Sequence, residues 1–223
     1  YQQDLLQHAG AAALDSLYAS PEDDAFIEIQ LIQSECQTLN YEISDTLLSV
    51  DLPRVLGPGE RIEIDIHFLY NMMEGSARDL MAFTRAVRSA HRNGVFTVSL
   101  WYPKLAVYDE DGWFLEPYRL FGEFYGDFAS FDVQITLPSQ FEVGATGTLE
   151  LEAVEGGSKT LLFKAADVHD FAWVASDRFQ SRSYELDGVR IKALYVDEFL
   201  SDMGELAADA LEYYSGKFGP YPY

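Results

Sequence analysis

The sequence has a single cysteine, Cys36, so no disulfide can form within the chain. A lone thiol beside a strand-like run behaves as a small apolar side chain and says little about redox compartment. Lysine is scarce too: Lys104, Lys159, Lys164, Lys192 and Lys217 are the only ones. With 37 acidic residues against 15 basic ones, the formal net charge is -22 and the isoelectric point lies near 4.3. Such a surface repels phosphate backbones and anionic lipid, which makes nucleic acid and acidic membranes poor partners. No apolar run approaches the roughly 18 residues of a membrane-spanning helix. The chain opens at Tyr1 with neither a methionine nor a basic-then-apolar leader, so its start gives no address. High acid with little lysine suits work in high salt, and equally a mildly acidic extracytoplasmic setting. An extracytoplasmic location is taken as the expectation.

What is present is a chain of 223 residues, 48% hydrophobic, enough for one large domain or one domain and part of another. Leu5, Leu6, Ala9, Ala13 and Leu17 recur at helical intervals, so residues 2–18 are read as a short amphipathic helix, broken by Ser20-Pro21-Glu22-Asp23-Asp24. The period then becomes two. Ile27, Ile29 and Leu31 alternate with polar residues, as do Ile62, Ile64, Ile66 and Phe68, the pattern of half-buried antiparallel strands. Gly57-Pro58-Gly59 marks a tight turn after a strand over about 47–52. Further strands are expected over 95–100, 131–137, 149–151, 161–163, 171–175 and 189–195. Turn signals separate them, including Gly144, Gly147, Gly156-Gly157 and the hairpin pair Asp187-Gly188. Regular short strands of this kind argue for an antiparallel β-sandwich.

Two segments leave the strand rhythm. In 72–94, Leu80, Phe83 and Val87 share a helical face, and Asn93-Gly94 is read as a left-handed helix cap. Arg78, Arg85, Arg88, His91 and Arg92 make it the one basic island, read as a solvated face in preference to a docking site for an acidic neighbour. After Tyr195, Phe199, Met203, Leu206, Ala210, Leu211 and Tyr214 form a stripe, with Asp197 as N-cap and Gly216 as the stop before Pro220.

Chemistry-bearing patterns are few. The HExxH motif of zinc peptidases needs two histidines one helical turn apart with a glutamate as general base. His8, His67, His91 and His169 are followed by Ala9, Phe68, Arg92 and Asp170, so none opens such a motif. No phosphate-binding glycine loop and no GxSxG elbow occurs. No catalytic and no metal-ligating residue is assigned. Aromatics, in contrast, crowd the stretch from Trp101 to Phe131: Tyr102, Tyr108, Trp113, Phe114, Tyr118, Phe121, Phe124, Tyr125 and Phe128 lie between. They are read as core and interdomain packing, with a sugar-stacking surface through Trp101 or Trp113 as the alternative.

Five short motifs recur in a telling order. They are Trp101-Tyr102-Pro103 followed by AVYDEDGW, then Gly122-Glu123-Phe124, then Ala145-Thr146-Gly147, then Asp170-Phe171-Ala172-Trp173, then Phe218-Gly219-Pro220-Tyr221-Pro222. In that order they resemble the non-catalytic front part of the aminopeptidase N family of zinc metallopeptidases. The likeness is best from about residue 95 onward and weaker back to Phe26. It implies a saddle-like N-terminal β-domain followed by the first helix of a thermolysin-like catalytic domain. It also implies that the intact protein removes amino-terminal residues from peptides with one zinc ion. The family's Gly-x-Met-Glu-Asn motif belongs after the FGPYP segment. Met73-Glu74-Gly75 lies far upstream without the asparagine and is not that motif. The Gln or Glu that many members lend to the substrate's amino end has no motif-matched place in VFTVSLWYP, so no substrate-binding position is transferred.

The expected fold is therefore mainly β, an antiparallel β-sandwich with a short N-terminal helix and a C-terminal helix. The expected divisions are 1–20 as a leading helical segment, 21–195 as the β-sandwich, and 196–223 as the start of a catalytic domain. By this reading the chain holds no cofactor itself, and zinc belongs to the intact parent. Its partners are its own catalytic domain, the parent's peptide substrate and, through the orphaned helix, a second copy. Alone it is expected to be inactive. The alternative is a free-standing binding module, carbohydrate-binding in the first instance.

A charge of -22 stores repulsion that salt screens over about 10 Å at 0.1 M and about 3 Å at 1 M. The melting temperature is expected to be higher in molar potassium chloride than in dilute buffer. A flat or falling trend would mean that the carboxylates are already compensated locally.

Overall fold

Ile27 and Ile29 begin the first strand on one face, but the face changes before the strand ends. In this computed structural model, which describes residues 26–74, 89–116 and 125–222, β1 (Phe26–Ser34) pairs antiparallel with Asp65–Asn71. A bulge between Ile29 and Leu31 inserts one residue, so Ile27, Ile29 and Ile32 oppose Tyr70, Phe68 and Ile66. Ile32 is fully buried, and the expected 27-29-31 alternation is corrected by that extra residue.

The chain continues through β2 (Gln37–Thr38), which turns back on β1, and the hairpin of β3 (Tyr41–Ser44) with β4 (Leu47–Val50). At the expected 57–59 turn, the Glu60 N–H donates to the Gly57 carbonyl at 3.1 Å, with Pro58 second and Gly59 at a φ of 81° third. That is a type II turn, which needs a residue free to adopt positive φ at its third place. The Glu60 carboxylate accepts from the Gly57 N–H and from Arg54, which hold its pKa below the usual carboxylate value. The strand expected from Ile62 begins only at Asp65 as β5 (Asp65–Asn71).

Then follow β6 (Met73–Glu74), β7 (Ala90–Arg92), β8 (Val95–Val98), β9 (Tyr108–Asp109) and β10 (Gly112–Trp113). The second half holds β11 (Ala129–Pro138), β12 (Glu142–Ala145), β13 (Thr148–Glu155), β14 (Ser158–Val168), β15 (Trp173–Ser176), β16 (Gln180–Leu186) and β17 (Val189–Tyr195). The chain closes with α1 (Met203–Phe218). Two sheets carry the core, ordered β11-β14-β13 and β12-β15-β8-β7-β6. All pairings in both are antiparallel except β6 with β7. Ile135, Leu161, Phe163 and Ala165 from the first sheet meet Val143, Phe171 and Ala175 from the second sheet and its connection. Phe131, Val133 and Leu137 lie along the same face of β11 as Ile135, as their spacing predicts. The architecture is thus mainly β in antiparallel sheets.

Lys159 occupies the end of the inward face of β14 with a side chain only 9% exposed. Its ammonium lies 3.8 Å from Glu142 of β12 and 3.9 Å from Glu152 of β13. Glu142 also accepts from Lys192 of β17 at 2.5 Å. Lys159 thus places a mostly buried positive charge beside two half-exposed carboxylates, one from each sheet, and Lys192 brings the last hairpin to the same Glu142.

Further expectations change in the structure. Asn93-Gly94 is not a helix cap: both residues have positive φ and join β7 to β8 as a two-residue hairpin turn. Paired positive φ angles match the right-handed twist of strands, which is why an Asn-Gly pair serves a hairpin as readily as a helix end. The rest of the helix expected over 72–94 falls largely on 75–88, outside the described residues, as does the helix expected over 2–18. Gly216 lies inside α1, and Gly219, at a φ of 103°, ends it. Asp197 does cap a helix, accepting from the Phe199 N–H, but it is the short 3-10 turn Glu198–Leu200 that it caps.

The face of α1 that the rest of the chain covers includes only Ala210 and Leu211 of the expected stripe, both half-buried. Gly204 is buried, and Ala208, Leu211 and Ser215 are half-buried, a stripe of mostly small residues that lies along β16 and β17. Met203, Leu206, Tyr213, Tyr214 and Phe218 are exposed. Backbone proximity explains the choice: the Tyr184 ring fills the space where a Cβ on Gly204 would stand, and its hydroxyl donates to the Ser201 carbonyl at 3.3 Å. Arg182 adds a bond to Glu198 at 2.6 Å.

Gly204→Val is expected to destabilise the chain by about 1–3 kcal/mol through overpacking against Tyr184. Urea unfolding and amide exchange along α1 check this. Adding Tyr184→Ala should recover part of the loss, and native stability in the single variant would show that the helix sits elsewhere.

Candidate functional site

Three of the five ordered motifs converge where the chain passes from the first sheet to the second. That passage, residues 169–172, links β14 to β15. Asp170 accepts from the Tyr102 hydroxyl at 2.6 Å and from the Phe171 N–H at 2.8 Å. The Phe171 carbonyl accepts from the Trp101 indole N–H at 3.1 Å. Lys104 donates to the His169 carbonyl at 2.5 Å. Thr146 uses its N–H and its hydroxyl on the Ala172 carbonyl, at 2.9 and 3.2 Å, and its hydroxyl oxygen accepts the Ala172 N–H at 3.1 Å. Gly147, beside it, passes so near the Lys164 carbonyl oxygen that any Cβ would collide with it.

Electrostatics follow from this burial. Burial is the main cause that pushes the Tyr102 phenol well above its ordinary value, reinforced by the hydrogen bond to Asp170 and that carboxylate's charge. Burial pulls Lys104 down, opposed by the charges of Asp170 and Asp127. Gly126 lies against the Lys104 side chain, where a Cβ would crowd both Cε and Nζ. These groups satisfy one another and hold backbone; their chemistry is structural.

The aromatic stretch divides in two. Trp101, Tyr102 and Phe131 form a chain of rings that reaches Phe171 and Phe163 in the core. Trp101 is half-buried, with its indole N–H committed to the Phe171 carbonyl. Tyr108, Trp113, Phe114, Tyr125 and Phe128 remain exposed, while Tyr118, Phe121 and Phe124 lie outside the described residues, as does the Gly122-Glu123-Phe124 motif.

Of the histidines, His67 lies exposed on β5, His91 stacks on Phe96 at 5.5 Å, and His169 packs edge-on to Phe128 at 5.7 Å. His8 lies outside the described residues. The three described histidines sit on different segments, and among the described residues no group of three or more His, Cys, Asp or Glu side chains could hold a metal ion. The described residues do not fit a catalytic zinc centre. Among the described residues no helix is long and apolar enough to cross a membrane.

No protein-family model matches the chain, and no curated protein matches it by sequence. Solved structures do. A mutant of a two-domain M1 zinc metallopeptidase bound to L-arginine superposes with a TM-score of 0.59 at 18% identity. A mutant of the M1 zinc metallopeptidase of Deinococcus radiodurans bound to a Tyr-Ser-Ala substrate gives the same values. The same organism's enzyme without that substrate gives a TM-score of 0.57 at 18% identity. In all three the match covers 88% of this chain and 44% of the other, so the chain spans less than half the length of these structures. At identity this low, the superposition shows a shared fold alone.

Tyr102→Phe is expected to cost about 1–2 kcal/mol at neutral pH, since it removes a hydrogen bond to a carboxylate. The folded state holds the Tyr102 proton more tightly than the unfolded chain, where tyrosine titrates near pH 10. Its contribution is therefore complete below about pH 10 and declines as the pH rises further. Urea midpoints measured across that range should fall less steeply for Tyr102→Phe. Parallel slopes would remove Tyr102 from the alkaline transition.

Proposed function

We propose that this chain is the accessory N-terminal β-domain of a zinc-dependent aminopeptidase. The observation that carries the reading is the match of nearly the whole chain to less than half of M1 zinc metallopeptidases. The order of the sequence motifs supports it independently. The junction of Trp101, Tyr102, Thr146 and Asp170 accounts for three of those motifs as structural requirements of the fold. On this reading zinc and peptide hydrolysis belong to the remainder of the protein, and this domain supplies a scaffold beside it. The exposed apolar face of α1 is then a surface covered in the complete enzyme, because several uncovered large side chains cost about 1.5–3 kcal/mol each.

The chain produced alone, without a metal-binding tag, is expected to contain well under one zinc per molecule and to leave aminoacyl anilides intact. The reading frame beyond Tyr223 should encode His-Glu-x-x-His. Stoichiometric zinc with anilide hydrolysis by the isolated chain would sink the proposal.

A further inference from the structure

The hairpin of β9 and β10 stands apart from the junction it follows. Val107 anchors it at 3% exposure, and the Phe114 N–H donates to the Val107 carbonyl at 2.8 Å. One pair further toward the tip, Tyr108 opposes Trp113, so both rings share the face turned away from Val107. They remain 66% and 54% exposed, with ring centres 5.0 Å apart and planes at 67°. The tip carries Asp109, Glu110 and Asp111, all exposed, and Glu116 follows. No lysine or arginine occurs from 105 to 116, and Lys104 is turned inward to the His169 carbonyl.

We propose that this hairpin is a docking surface for a cationic peptide segment, with an arginine or lysine laid over the outward faces of the Tyr108 and Trp113 rings. The two rings meet edge to face and both stay more than half exposed, so a cation can lie over an outward ring face without parting them. A sugar ring stacks better on a flat platform, which these rings do not make. The carboxylates at the tip supply the complementary charge. They also disfavour other occupants: nucleic acid, anionic lipid and a second copy of this chain all bring negative charge to a negative tip. Tyr and Trp favour such a role because they present large contact area at small entropic cost.

The test is a titration of the 223-residue chain with a tetra-arginine peptide, followed through its three indole N–H resonances. Trp113 is expected to shift. Trp101, bonded to the Phe171 carbonyl, and Trp173, whose Nε1 is buried, are expected to stay still. The charge-neutral variant Tyr108→Ala with Trp113→Ala, followed by calorimetry, should lose about tenfold in affinity. Glu110→Gln with Asp111→Asn should lose a similar factor, whereas Glu150→Gln with Glu155→Gln on exposed β13 should change it less than about twofold. Equal losses from the hairpin and β13 pairs would reduce the effect to diffuse charge and overturn the proposal. So would an unchanged Trp113 resonance, or a shift with cellotetraose and none with tetra-arginine. The readout needs neither zinc nor hydrolysis, so it stands or falls separately from the function proposed above.

Discussion

Phe171 is the residue on which the two-sheet arrangement turns. Its side chain is fully buried, its ring contacts Phe131 and Phe163, and both of its backbone polar groups are bonded to side chains. A chain that leaves one sheet and enters another exposes backbone groups that no ladder can satisfy, and burying them without partners would cost several kcal/mol in total. Trp101, Tyr102, Lys104 and Thr146 answer that requirement. This explains why residues so different in chemistry form a compact set: Trp101, Tyr102 and Lys104 each meet one polar group of the crossing and Thr146 meets two. The fold therefore rests on a polar solution inside an aromatic core.

Scarcity of positive charge gives the remaining cations disproportionate structural weight. Lys159, Lys192 and Arg182 each meet carboxylates that would otherwise repel one another. Exposed pairs of this sort contribute little individually. Lys159 differs because its ammonium is withdrawn from water between two sheets.

Much of the strand layout was legible because period-two alternation survives in β11 and β17, and because Asp187-Gly188 marks its hairpin directly. The bulge in β1 was not legible: one inserted residue changes the buried set without changing composition. Asn93-Gly94 misled for a physical reason, since the same positive φ serves two kinds of chain reversal. Which residues of α1 meet the β16–β17 hairpin was not legible, because periodicity follows the large apolar residues while close packing on a hairpin selects small ones, Gly204 above all. At the junction, the motifs identified which residues matter, but not that they join one another. Pairs such as Trp101 and Phe171 lie 70 residues apart, and no local pattern reports such a contact.

That separation bears on how the protein is made. β8 has β15 as its partner on one side, and the Trp101 indole waits for a carbonyl on the same distant segment. At synthesis rates of about 5–20 residues per second, the interval between the two amounts to roughly 4–14 s. Until that segment follows, β8 and the Trp101 indole lack the partners it provides in the fold. The hairpin of β13 and β14, built around a two-residue turn, closes within that window from local contacts alone. Since β14 ends at Val168 and β15 begins at Trp173, the first sheet is complete only a few residues before the second can close on β8.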